Sequence, residues 1–269
     1  MQEMDTGQNV VQLKIPNKEP KDPTSHSNGL PSKHTHVIHS AIQETKKITS
    51  ASLKTFSTHA FLQGMACMAE YYEPYIAQHL SRIHAFLKVL MRQLEGHPKF
   101  VELLSKENQL LIADAALLHD IGKVNIPTEL RSKPGIFSSI EFEMIAQHTY
   151  WGKEIIEENR LNLPLSRELA VFAQDIAYSH HERWDGSGYP QQLMAEQIPV
   201  VGRLMAIVDV YDGLISPRTY KSALSHQDAM EIIRADRKIL FDPDIQEAFI
   251  ATAAQIQAIA MKYPILSDD

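Results

Sequence analysis

Ala115-Ala116-Leu117-Leu118-His119-Asp120-Ile121-Gly122-Lys123-Val124 sets a histidine and an aspartate side by side where a strongly apolar segment ends. The apolar run buries at least part of both side chains. A buried carboxylate beside an imidazole is costly unless something cationic compensates it, and a metal ion is the usual answer. A helix-end hydrogen bond would also account for the pair taken alone. Its meaning depends on what the rest of the chain brings to it.

Working outward, Glu107 to Ile121 reads as a helix with Gly122 as its carboxy-terminal cap. Upstream, Ile76, Leu80, Ile83, Leu87, Leu90 and Leu94 recur at spacings of three and four, an amphipathic stripe into which His79 points. Gly96-His97-Pro98 closes that helix, and Pro74 separates it from an apolar helical run over Ala51 to Tyr72. Downstream, Ser138 and Glu141 form a capping-box signature, and Met144, His148, Trp151 and Ile155 share the face of the helix that follows. Pro164 to His181 repeats the theme, with Leu169, Ala173, Ile176 and His180 on one stripe. Next comes a loop, Glu182-Arg183-Trp184-Asp185-Gly186-Ser187-Gly188-Tyr189-Pro190, whose glycines permit tight turns and close approach of backbone to a ligand. In it, Arg183 and Trp184 read as braces, and Asp185 as a loop cap or a partner for a ligand histidine.

Pro199 opens a helix through Leu214 that is apolar nearly all round yet contains Asp209 and Asp212. A helix capped at Ser225 follows, and a last helix runs from Phe241-Asp242-Pro243 to about Tyr263. Period-two alternation is almost absent, so the expected fold class is all-α with six or more helices. Residues 1–48, rich in Pro, Lys, Ser and Asn, read as a flexible leader, with His34, His36 and His39 in a solvated tail. Residues 49–265 read as one folded domain.

Hydrophobic residues make up 44% and charged residues 22%, as in a soluble globular chain. The net charge of -7 argues against a nucleic-acid duplex or an anionic membrane as the main partner, while leaving room for a small phosphorylated ligand. The single cysteine, Cys67, excludes disulfides and a Cys-rich zinc site. No apolar stretch approaches the roughly 20 residues of a membrane span, and Met1 to Asp5 is unlike a secretory signal. The expected location is cytoplasmic. The anomaly is the 13 histidines.

Several of them lie on buried helix faces. His79, His119 with Asp120, His148, His180 with His181, and Asp209 make seven imidazole and carboxylate groups, with no lysine or arginine in the same stripes to offset them. That set points to metal. Seven ligands exceed what one ion takes while keeping a place for water, and two ions sharing a bridging carboxylate fit the count. Nitrogen and oxygen donors without thiolate suit iron, manganese or nickel at least as well as zinc.

These residues, together with Gly188-Tyr189-Pro190, Asp209-Val210-Tyr211-Asp212, Gly152 four residues after His148, and Ser216-Pro217-Arg218-Thr219-Tyr220, resemble the HD-GYP phosphodiesterases, a branch of the HD metal-dependent phosphohydrolases. The resemblance covers about residues 75–250. It implies an HD-domain helical bundle with additional N- and C-terminal helices, and hydrolysis of cyclic di-GMP to linear pGpG, with a second step on to GMP left open by the resemblance. It also implies two divalent ions, iron foremost, with manganese, nickel or zinc as alternatives. Carried over by motif, His79, His119, Asp120 and Asp209 would hold one ion, and His148, His180 and His181 the other, with Asp120 bridging. Lys123 would contact the scissile phosphate, and Gly188, Tyr189, Pro190 and Arg218 would meet substrate. Arg218 has an equal claim to pairing with Asp212 or another helix carboxylate. A diguanylate cyclase-type (GGDEF) partner and a homodimer are further expectations of the resemblance.

Some family members carry a glutamate four residues before the first ligand histidine, supporting a third metal. Here that position is Tyr75, which helical spacing would keep on the face of His79. Two metals are therefore expected. Two ions about 3.5–4 Å apart can share a water and lower its pKa, making hydroxide available for in-line attack on phosphorus. The competing expectations are a hydrolase of another cyclic dinucleotide, such as 3',3'-cyclic GMP-AMP, and a catalytically weak module that senses the nucleotide or acts as a scaffold.

Overall fold

A computed structural model of the chain describes residues 57–264 apart from 74, 134, 218–221 and 237–238. The leader with His34, His36 and His39, the first part of the 51–72 helix, and Arg218 lie outside the described residues. Every regular element described is helical. In chain order these are α1 (Thr58–Ala69), α2 (Ile76–Gln93), α3 (Lys106–Ala115), the one-turn α4 (Thr128–Arg131), α5 (Ser139–Ala146), α6 (His148–Asn159) and α7 (Arg167–Ser179). After them come α8 (Val200–Ile215), α9 (His226–Ala235), α10 (Pro243–Ala251) and α11 (Ala253–Lys262). Short 3-10 turns span Ala116–Leu118, Ile121–Asn125 and Ala195–Gln197.

Helix starts follow local chemistry. Ser57, Ser105, Ser138, Ser166, Ser225 and Asp242 each accept a hydrogen bond from a first-turn N–H of the helix they precede. Each cap contributes about 1 kcal/mol. At α5 the capping box closes in both directions between Ser138 and Glu141, as the sequence predicts.

The predicted stripe of α2 forms the centre of the core: Leu80, Ile83, Leu87, Leu90 and Leu94 are all buried. Against α2 pack α3, α8, α10 and α11, while α7 lies between α3, α6 and α8. Phe86, Tyr211 and Phe249 join α2, α8 and α10 through edge-on ring contacts at 5.3 and 5.4 Å. Among the described residues, no helix is long and apolar enough to cross a membrane.

Three predicted helices are interrupted. The helix expected over 107–121 stops at Ala115 and gives way to two 3-10 turns. Gly122 is therefore no helix cap. A Cβ there would lie 2.0 Å from the His148 carbonyl oxygen and 2.4 Å from the Gly152 nitrogen, so the bare glycine lets the second turn rest on the start of α6. The helix expected through His148 is split at Gln147, and the last helix is split at Thr252.

Candidate metal centre

His119 and His180 each sit one residue beyond the end of a helix or helical turn, and His148 opens α6 just after α5 ends at Ala146. Such ends leave carbonyls without intrahelical partners. The Nδ1 of His119 lies 2.9 Å from the Ala116 carbonyl, that of His148 lies 2.7 Å from Ile145, and that of His180 lies 3.0 Å from Ile176. A carbonyl can only accept, so Nδ1 carries a proton and Nε2 faces inward. His79 differs, with its Nδ1 lying 2.8 Å from the Asp212 carboxylate.

The inward nitrogens surround Asp120, which is 6% exposed. Its Oδ2 lies 3.1 Å from His119 Nε2, and its Oδ1 lies 3.1 Å from His148 Nε2 and 3.7 Å from His180 Nε2. Two sets of ligand atoms result: Asp120 with His148, His180 and His181, and His79 with His119 and Asp209. All seven sequence-predicted ligands thus come together, with Asp120 touching both sets.

Four buried atoms here, the Nε2 of His119, His148 and His180 and Oδ1 of Asp120, have no hydrogen-bond partner. Groups of that kind cost about 1–3 kcal/mol each when left unsatisfied. They converge on one space, and their chemistry is that of metal ligands.

A family model described as an HD domain matches residues 65–245. The chain belongs to the HD domain family. Its HD pair is His119-Asp120, at the meeting point of the two ligand sets. A cyclic di-GMP phosphodiesterase of Vibrio cholerae is 38% identical over 82% of this chain and 44% of its own length. One from Thermotoga maritima is 40% identical over 53% of this chain and 37% of its own. A 3'3'-cGAMP-specific phosphodiesterase 2 of Vibrio cholerae is 35% identical over 60% and 30% respectively. The chain spans less than half the length of each of these relatives. The resemblance to HD-GYP phosphodiesterases read from the motifs stands with these matches.

The electrostatics of the HD site favour cations. Burial pushes the Asp120 carboxyl up, but Lys123 and His119 outweigh it and hold the group ionised, well below the usual carboxylate range. Burial pushes His119 down, yet Asp120, Asp209 and Glu70 override it and lift the imidazole to about 9. His180 and His181 go the other way. Burial pushes both down, His181 further because His180 and His148 crowd it, so both stay neutral with lone pairs available.

Glu70 had no motif to mark it. It caps the end of α1, is 2% exposed, and lies 3.0 Å from the Lys123 ammonium. Lys123 in turn lies 2.6 Å from Asp120 Oδ2. Burial pushes the Glu70 carboxyl up against the pull of Lys123.

Several readings need correction. The stripes do contain a compensating cation: Arg82, one turn after His79, is 1% exposed and forks onto both oxygens of Asp212. Asp212, not Asp209, is the deeply buried carboxylate of α8, and Arg82 occupies it as a partner. The helical spacing that would set Tyr75 on the face of His79 does not apply, because Tyr75 precedes α2 as a cap with φ 64. The carboxylate near His79 and Lys123 comes from Glu70 instead.

In the loop, Asp185 caps the turn by accepting from Ser187 N–H and braces no ligand histidine. The close approach of Gly188 is to its own chain, since a Cβ would lie 2.3 Å from the Arg183 nitrogen. Tyr189, joined to Pro190 by a cis peptide, lays its ring 4.8 Å from that of His181 and meets Phe142 of α5 at 5.5 Å. The buried Glu182 holds the loop's return by accepting from the N–H groups of Gln191 and Leu193.

Proposed function

We propose that this chain is a metal-dependent phosphodiesterase that hydrolyses cyclic di-GMP to linear pGpG. The observation that carries the reading is Asp120, which turns one oxygen to His119 and the other to His148 and His180. That disposition supports a bridging role between two ions, iron foremost given the absence of thiolate. His79, His119 and Asp209 would hold one, and His148, His180 and His181 the other. Bound divalent ions supply Lewis acidity toward phosphoryl oxygens and bring a water's pKa toward neutrality.

The chain's own groups do the positioning. An ammonium has three donors, and two of those on Lys123 face Glu70 and Asp120. The third is left for a phosphoryl oxygen, where it offsets charge that grows in the transition state. Tyr189 walls the side of His181, and Gly188, close against the Arg183 backbone, lets the loop turn beside it. Arg218 enters as a second phosphate contact on its motif position. A cytoplasmic location belongs to the same proposal on the apolar pattern of the sequence, and a diguanylate cyclase-type partner and a homodimer on the resemblance alone.

The relatives named cyclic di-GMP phosphodiesterases support the substrate, and the relative named 3'3'-cGAMP-specific favours a second reading, hydrolysis of cyclic GMP-AMP. Turnover of cyclic di-GMP, cyclic di-AMP and 3',3'-cyclic GMP-AMP by metal-replete protein decides between them. We expect cyclic di-GMP to be cleaved fastest, with pGpG as first product. Faster cleavage of cyclic GMP-AMP would replace the first reading by the second, and binding without product from any of them would overturn both.

A further inference from the structure

His59 on α1, His84 on α2 and Asp114 on α3 converge where those three helices meet, and none of them is among the seven ligands of the HD site. His59 Nδ1 lies 2.8 Å and His84 Nε2 3.2 Å from the same oxygen, Asp114 Oδ1. The two imidazole rings stand 4.5 Å apart, centre to centre. One potential ligand atom from each residue falls within 4.8 Å of the other two.

We propose that these residues form a second metal site, taking one zinc-class divalent ion and clamping α1 against α2 and α3. A tetrahedral ion with bonds of about 2.0–2.1 Å spaces its ligands roughly 3.4 Å apart. The two histidine–carboxylate separations would need to open by only about 0.2–0.6 Å to match that spacing. Two imidazoles and one carboxylate are a ligand set that zinc takes with a fourth position left to water. The side chains of His59, His84 and Asp114 are 38, 20 and 22% exposed, so ion and water can both enter from solvent. Asp114 is suited to a cation: burial raises its carboxyl, but hydrogen bonds from His84 and His59 prevail and hold it below the ordinary range.

The site has a consequence for catalysis. α1 packs over both 3-10 turns that flank His119-Asp120 and carry Lys123, and it ends in Glu70 against the Lys123 ammonium. An ion at His59 fixes the opposite end of the same helix. Only a ligand bound to the folded arrangement stabilises it, and the gain grows with the ion's concentration over its Kd.

The test is zinc binding to the full chain carrying Asp120→Ala, which disables the HD site, with and without His84→Ala. Zinc bound after equilibrium dialysis is counted, and thermal unfolding is followed in parallel. The clamp predicts one more bound zinc with His84 present, an affinity on the order of 100-fold weaker without it, and a zinc-dependent rise in Tm only when His84 is present. Asp114→Asn, which preserves shape and hydrogen bonding but not charge, provides the same comparison if His84→Ala fails to fold. Equal zinc counts and equal Tm shifts with and without the cluster would overturn the site.

Discussion

Lys123 is held between two carboxylates, Glu70 at 3.0 Å and Asp120 at 2.6 Å, so its long stem loses the freedom that an exposed lysine keeps. Glu70→Gln retains the shape and removes one of the two charges. We expect kcat on cyclic di-GMP to fall about tenfold, or ~1.4 kcal/mol of transition-state stabilisation. KM and metal content should change little. Steady-state kinetics with elemental analysis reads this, and an unchanged kcat would detach Glu70 from the chemistry. Glu70 was not legible in the sequence because it belongs to no motif and lies at the end of a run read as one helix from 51 to 72. Arg82 and Asp212 left a fainter trace. Each falls three residues after a ligand position, His79 and Asp209, so helical spacing alone places the pair beside the metal ligands.

The elements explain why the ligand histidines were legible as a set but not in their setting. Apolar periodicity marked His119, His148 and His180 as inward-facing, and they are buried. Periodicity says nothing about where a helix stops, and all three lie at helix ends, bonding leftover carbonyls. Gly122 is where two such ends meet. Gly122→Ala would drive a methyl group into the His148 carbonyl and push the Asp120 turn off α6. We expect a loss of about 1–3 kcal/mol in urea unfolding together with weakened metal binding. Wild-type stability and metal affinity in that variant would show that the contact is not needed.

At α5 the capping box acts on the loop, because Phe142 of this helix packs on Tyr189. Hydrogen bonds from Lys133 and Ser138 lower the Glu141 carboxyl to about 2. A depressed folded-state pKa stabilises above the unfolded value near 4.5, and that help is lost as pH falls through about 2. An NMR titration should place the Glu141 midpoint far below that of an ordinary glutamate, with Lys133→Ala moving it back up. A midpoint near 4.5 in the unmutated chain would contradict the cap as described.

For the whole molecule, the all-α bundle and membership of the HD domain family could be read from motifs spread between His79 and Tyr220. What joins them is tertiary. Residues as distant as His79 and Asp209 contribute to one ligand set, and Asp120 connects it to the other. The account therefore turns on Asp120. Metal content and cyclic di-GMP hydrolysis of anaerobically purified wild-type and Asp120→Ala protein test it together. The prediction is that wild type holds about two more ions per chain than the variant and that wild type alone releases pGpG. An Asp120→Ala chain with the wild-type metal content and the wild-type rate would contradict it.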